Sequence, residues 1–189
     1  VRSMKYHGLE MWPVDYDELK EPNPEAVSDG MVNLDHHAGI VERFDVPFVV
    51  AINRFPTDTD AEIQAIVDHC EEQGYPVVVS NAFADGGEGA AELAETAKDL
   101  ADGDEGDFEP LYDLDAGLEE KIRTVATEVY GAESAHFTED AQDDLARLEE
   151  QGYGDMPVCL SKTQHSTTDD PTRKGAPKDD WTLTVRECY

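Results

Sequence analysis

Two short apolar runs in this chain end in residues that can do chemistry. Val46 to Asn53 leads into Arg54, Phe55 and Pro56, and Pro76 to Ser80 leads into Asn81, Ala82 and Phe83. If both runs are parallel strands of one open sheet, ligands bind beyond their carboxyl ends, and Phe55 and Phe83 face one cleft. Two aromatic faces across a cleft can sandwich a flat heterocycle; the alternative is a pair of ordinary core residues. Gly86, Gly87 and Gly89 follow Phe83 and open a helical stretch. Backbone N–H groups and the helix dipole there can hold an anion. The Lys-Ser/Thr of a phosphate-binding loop is absent, however, and a plain strand-to-helix turn has the same composition.

Arg2, Lys5 and His7 group together in a chain with only 14 basic residues, with no acid among them. They either meet an anionic substrate or pair with distant carboxylates. Lys162, Thr163, Gln164, His165 and Ser166 place many hydrogen-bonding groups in one polar loop. His36-His37 lacks the matching carboxylate spacing of a metal site, so no metal is expected. No GxSxG nucleophile motif is present. The three cysteines, Cys70, Cys159 and Cys188, are odd in number and form no CxxC pair. That argues against disulfides and structural zinc and for a reducing cytoplasm.

The elements that must position these groups follow from periodicity. Val46–Asn53 and Pro76–Ser80 read as buried parallel strands. Between them, Thr59 and Glu62 form a capping box that starts a helix with Ile63, Ile66, Val67 and Cys70 on one face, ended by Gly74. Another helix precedes the first strand, from Pro24 to Phe44, and one follows the second, from Ala90 to Leu100. The order predicts a βαβ crossover in a parallel sheet. Val1–Gly8 is a short mixed segment, and Glu10–Pro24 reads as a loop. The Gly- and Asp-rich stretch from Ala101 to Glu109 is the best domain boundary. Beyond it, helices are expected over Gly117–Tyr130 and Thr138–Gln151, and strands over Pro157–Ser161 and Trp181–Arg186, the last running to the end of the chain with no evident partner.

Asp plus Glu number 44 against 14 Lys plus Arg, a net charge of −30. Such a surface repels phosphates and anionic lipid, which excludes nucleic-acid and membrane-surface binding as main roles. The acids are scattered among periodic apolar residues and not blocked into a tail, so a folded, salt-adapted protein is expected. No apolar run approaches the roughly 18 residues that span a bilayer. The first residue is Val, which suggests a fragment or processed product.

Several longer motifs resemble those of the formate–tetrahydrofolate ligases, in a strongly acidic, haloarchaeal-type version. Val1-Arg2-Ser3-Met4-Lys5-Tyr6-His7-Gly8 resembles the family's V-R-A-L-K-x-H-G-G, and Phe48–Asp60 resembles a family segment almost throughout. Ser80–Ala94, Leu111–Ala132, Met156–Pro177 and Trp181–Glu187 resemble further family segments in the same order.

The resemblance implies an α/β fold: part of a P-loop NTPase-like parallel sheet in residues 1–100, the end of a nucleotide- and folate-binding domain, and a smaller α/β domain in 101–189. It implies ATP-dependent ligation of formate to tetrahydrofolate, giving 10-formyltetrahydrofolate through formyl phosphate. The pterin would stack between Phe55 and Phe83, flanked by Pro56 and Asn53, with Phe83 standing where relatives carry Trp. Arg2 and Lys5 would be the nearest catalytic cations facing developing negative charge, and Gly86, Gly87, Gly89 and Lys162 would serve an anion. Asn53 at a strand end is analogous to the asparagine of N-K-x-D in P-loop folds. ATP with Mg2+ would be held mostly by a P-loop-containing half, whose phosphate-binding motif has no counterpart here. A monovalent cation and a homo-oligomer are implied as well. Leu9 replaces a second family glycine. The alternative role is a non-catalytic folate-binding remnant or scaffold partner.

Overall fold

The computed structural model describes residues 1–9, 13–103, 106–161, 167–170, 172–173, 175–176 and 180–189. The chain is mixed α/β and divides into two compact units, Val1–Phe108 and Glu109–Tyr189.

In the first unit, β1 (Val50–Asn53) and β2 (Val77–Ser80) form a parallel pair, in register from Val50 beside Val77 to Asn53 beside Ser80. β-Branched residues suit this pleated, half-buried ladder. The apolar residues at 46–49 lie outside the ladder, so the strand is shorter than the run that suggests it. The crossover is α4 (Asp60–Gln73). Its amino end carries the full capping box between Thr59 and Glu62, and its carboxyl end stops at Gly74, whose φ of 79° is the left-handed cap favoured by glycine. Ile63, Ile66 and Cys70 of α4 pack with Ile52, Val27 and Met31 in one buried cluster.

Val1–Gly8 contains a helix, α1 (Arg2–Gly8), where the sequence suggests only a mixed segment. The expected helix over Pro24–Phe44 is two helices, α2 (Pro24–Asp29) and α3 (Met31–Glu42), divided at Gly30. Packing leaves no room for a side chain at the division. A Cβ on Gly30 would lie 1.9 Å from the Met4 carbonyl oxygen, and one on Gly8 would lie 1.9 Å from that of Ala26. α1 and α2 therefore approach through backbone. Leu9 lies in ordinary extended backbone, so a side chain there brings no backbone strain. After β2 come a short helix α5 (Ala82–Asp85), a 3-10 turn (Glu88–Ala90) and α6 (Ala91–Gly103).

The second unit contains α7 (Leu118–Thr124), β3 (Ser134–Phe137), α8 (Glu139–Glu150) and β4 (Thr182–Val185). A five-residue π turn, Val125–Val129, extends α7. β4 does have a partner: it pairs in parallel with β3, from Ser134 beside Thr182 to Phe137 beside Val185. Pro157–Ser161, expected as a strand, forms no ladder. Leu118, Ile122, Phe137, Leu145, Trp181 and Leu183 belong to this unit's buried cluster. Among the described residues, no helix is long and apolar enough to cross a membrane.

Candidate functional site

β1 and β2 end side by side, with the Arg54 N–H donating to the Ser80 carbonyl at 3.0 Å. Each then enters a tight turn that carries one phenylalanine. On the β1 side, the Phe55 N–H donates to Asp58 Oδ2 at 2.8 Å and the Asp58 N–H donates back to the Phe55 carbonyl at 2.9 Å. Asp58 is buried, and its Oδ1 has no hydrogen-bond partner among the described residues. On the β2 side, Phe83 rides on α5, and the Asn81 N–H donates to the Gly89 carbonyl at 2.9 Å, closing the loop.

The two rings meet. Their centroids are 4.9 Å apart, at an interplanar angle of 51°. Phe55 is half-buried and Phe83 is 65% exposed. At this spacing the rings touch each other. A flat ring between them would need a centroid separation of about 7 Å, two van der Waals contacts of about 3.5 Å each. Asn53 and Pro56 are exposed beside them.

The glycines of the second turn have separate explanations. Gly86 has a φ of 60°, and a Cβ on Gly89 would lie 2.5 Å from the Asn81 carbonyl. Gly87 has open space and a negative φ, so neither strain nor crowding requires a glycine there.

The two amino-terminal cations part company. Arg2 is exposed; its guanidinium donates to Thr57 Oγ1 at 3.2 Å and lies 5.5 Å from the Phe55 ring centroid. Lys5 is 1% exposed, and its ammonium contacts Glu62 Oε1 at 2.9 Å and donates to the Glu21 carbonyl at 3.1 Å. Of the two alternatives for this basic group, pairing with a distant acid is the one that Lys5 follows. Lys162 lies outside the described residues.

Glu62 is the residue that sequence reasoning undervalued. Its Oε1 also accepts from the Asn23 N–H at 2.9 Å, and its Oε2 accepts from the Thr59 N–H at 2.9 Å and the Thr59 hydroxyl at 2.8 Å. Burial pushes the carboxyl up, but the hydrogen bonds from Asn23, Thr59 and Lys5 outweigh it and hold it at about 2. The capping box signals the bonds to Thr59 but not those to Lys5 and Asn23, which are far apart in sequence. Arg54 is spent on an exposed pair with Asp60 at 2.6 Å. Among the described residues, no three His, Cys, Asp or Glu side chains converge as a metal site would need.

Comparison with known proteins adds the following. The family model described as formate–tetrahydrofolate ligase matches residues 1–189. The chain is 50% identical over 191 residues to a formate–tetrahydrofolate ligase of Haloquadratum walsbyi, covering 100% of this chain and 33% of that protein. It is 49% identical over 191 residues to one of Haloarcula marismortui, covering 100% of this chain and 34% of that protein. The chain thus spans about one third of the length of the curated relatives it matches.

Proposed function

Because the chain belongs to the formate–tetrahydrofolate ligase family, we propose that it forms part of an enzyme that joins formate to tetrahydrofolate at the expense of ATP. The product is 10-formyltetrahydrofolate. A formate oxygen attacks the γ-phosphorus of ATP and displaces ADP, giving formyl phosphate; the folate N10 amine then attacks its carbonyl carbon, phosphate leaves, and the amine loses its proton. This chain supplies the folate side of that reaction. The observation that carries the reading is the meeting of Phe55 and Phe83 at the carboxyl ends of two parallel strands, where open sheets bind ligands.

In this reading the rings part from 4.9 Å to admit the pterin, which stacks on both faces. Asn53 and Pro56 border it. Arg2, exposed beside Phe55, offers its cation to an anionic intermediate. Gly86, Gly87, Gly89 and Lys162 serve an anionic part of a substrate. The first unit, Val1–Phe108, ends a P-loop NTPase-like domain, and the second, Glu109–Tyr189, forms the smaller one. ATP with Mg2+ is held mainly by parts of the enzyme that these residues do not include, and the whole works in a salt-rich cytoplasm as a homo-oligomer, with a monovalent cation. A second reading, a folate-binding piece that is not catalytic, is favoured by one observation: Lys5, a candidate cation for chemistry, is buried against Glu62.

Calorimetric titration with tetrahydrofolate in high salt tests the proposal. Phe55→Ala and Phe83→Ala should each weaken binding roughly tenfold, the equivalent of about 1.4 kcal/mol of lost ring contact. Full affinity in both folded variants would remove the stacking site.

A further inference from the structure

We propose that the buried Lys5–Glu62 pair is a positioning device that holds the Phe55 turn in its binding geometry. The proposal rests on the reading of Phe55 as a folate-stacking ring.

Helix α1 reaches that turn at two points. Arg2 and Lys5 are three residues apart, so they share one helix face. Arg2 touches Thr57 and the Phe55 ring directly. Lys5 reaches the same turn through Glu62. The Glu62 carboxylate gathers the ammonium of α1, the Asn23 N–H before α2, and both donors of Thr59 at the start of α4. Thr59 directly follows Asp58, whose carboxylate holds the Phe55 N–H. A continuous run of bonds therefore leads from Lys5 to the backbone of Phe55, and the anchoring of Lys5 also sets where Arg2 lies.

Stability alone does not call for such a pair. Well-packed apolar residues in place of a buried ion pair are often as stable or more so. What apolar side chains cannot do is fix three separate segments by direction-specific bonds. A geometric role accounts for a charge pair with side chains 1% and 0% exposed beside a turn that carries a binding ring.

The test separates position from stability. The double variant Lys5→Met/Glu62→Leu removes both charges together and so leaves neither one stranded. Two quantities are read in high salt: tetrahydrofolate affinity by calorimetry, and hydrogen exchange of the Phe55 amide without ligand. The bond of that amide is to Asp58, which neither substitution touches. The expected result is a folded variant with affinity at least tenfold weaker, and Phe55 exchange at least tenfold faster than that of the β1–β2 ladder amides, relative to the parent. Unchanged affinity or unchanged Phe55 exchange in a folded variant overturns the proposal, as does a uniform rise across all amides. If the double variant does not fold, Glu62→Gln, which keeps the side-chain shape and one acceptor oxygen, is read by the same two measures. If the parent chain itself binds no tetrahydrofolate, the folate reading fails, and the exchange result alone then decides whether the pair positions Phe55.

Discussion

A carboxylate shut off from solvent that accepts from Lys5, Asn23 and Thr59 resists protonation. Glu62 is held at about 2, below its ordinary 4.5. A depressed carboxyl contributes stability above its unfolded value and loses it as pH falls through the folded one. The contribution should be complete above about pH 5, mostly lost by about pH 2 and gone near about pH 1, with a size of about 3 kcal/mol. Thermal melting between those limits checks it: Glu62→Gln should flatten the acid limb, and a parent-like slope would show that Glu62 is not the titrating group. The meeting of the two neighbouring rings was legible from residue types and their places in the chain. Phe55 and Phe83 could be placed near each other because each follows the end of a parallel strand. Which acid pairs with Lys5 was not legible, because Glu62 stands far along the chain and no local pattern marks an ion pair across such a distance. Nor does the sequence reveal that the rings touch each other, with centroids 4.9 Å apart.

Between α1 and α2 the chain relies on glycine for space, and space is what a single methyl group can test. A Cβ on Gly30 would sit 1.9 Å from a backbone oxygen, whereas Gly39, inside α3, has nothing within 4 Å. Gly30→Ala should therefore destabilise by about 2–3 kcal/mol through overpacking. Gly39→Ala should stabilise by about 0.5–1 kcal/mol through helix propensity. Urea unfolding of the two variants measures both, and equal effects would contradict the packing of α1 on α2. The same elements show where periodicity stops being informative. The crossover helix α4, with its capping box, long apolar face and terminal glycine, was readable in full. α1 has seven residues, too few for a repeat of the helical face. β3, Ser-Ala-His-Phe, is short and not rich in β-branched residues. Pro157–Ser161 has the composition of a strand, but the hydroxyl of Tyr112 both accepts from the Val158 N–H at 2.9 Å and donates to its carbonyl at 3.4 Å. Those are backbone groups a ladder would have used.

At the scale of the whole molecule, a net charge of −30 must be reconciled with a folded chain. The ion pairs offer modest help. Lys98–Asp102, Arg123–Glu119 and Arg147–Asp144 are short-range helix pairs with mostly exposed side chains, each contributing a few tenths of a kcal/mol. The remaining acids repel one another across the surface, and that repulsion is screened by salt. Between about 0.1 M and about 1 M salt the screening length falls from about 10 Å to about 3 Å, so interactions between all but adjacent surface charges fade. The Lys5–Glu62 pair is buried and is screened far less. Melting temperature in sodium chloride should accordingly rise steadily over that range. The double variant that removes the buried pair should keep the same salt slope, because it leaves the net charge unchanged and touches no exposed acid. A flat salt dependence would mean that surface repulsion does not limit this fold, and the acidic composition would then need a cause other than adaptation to salt.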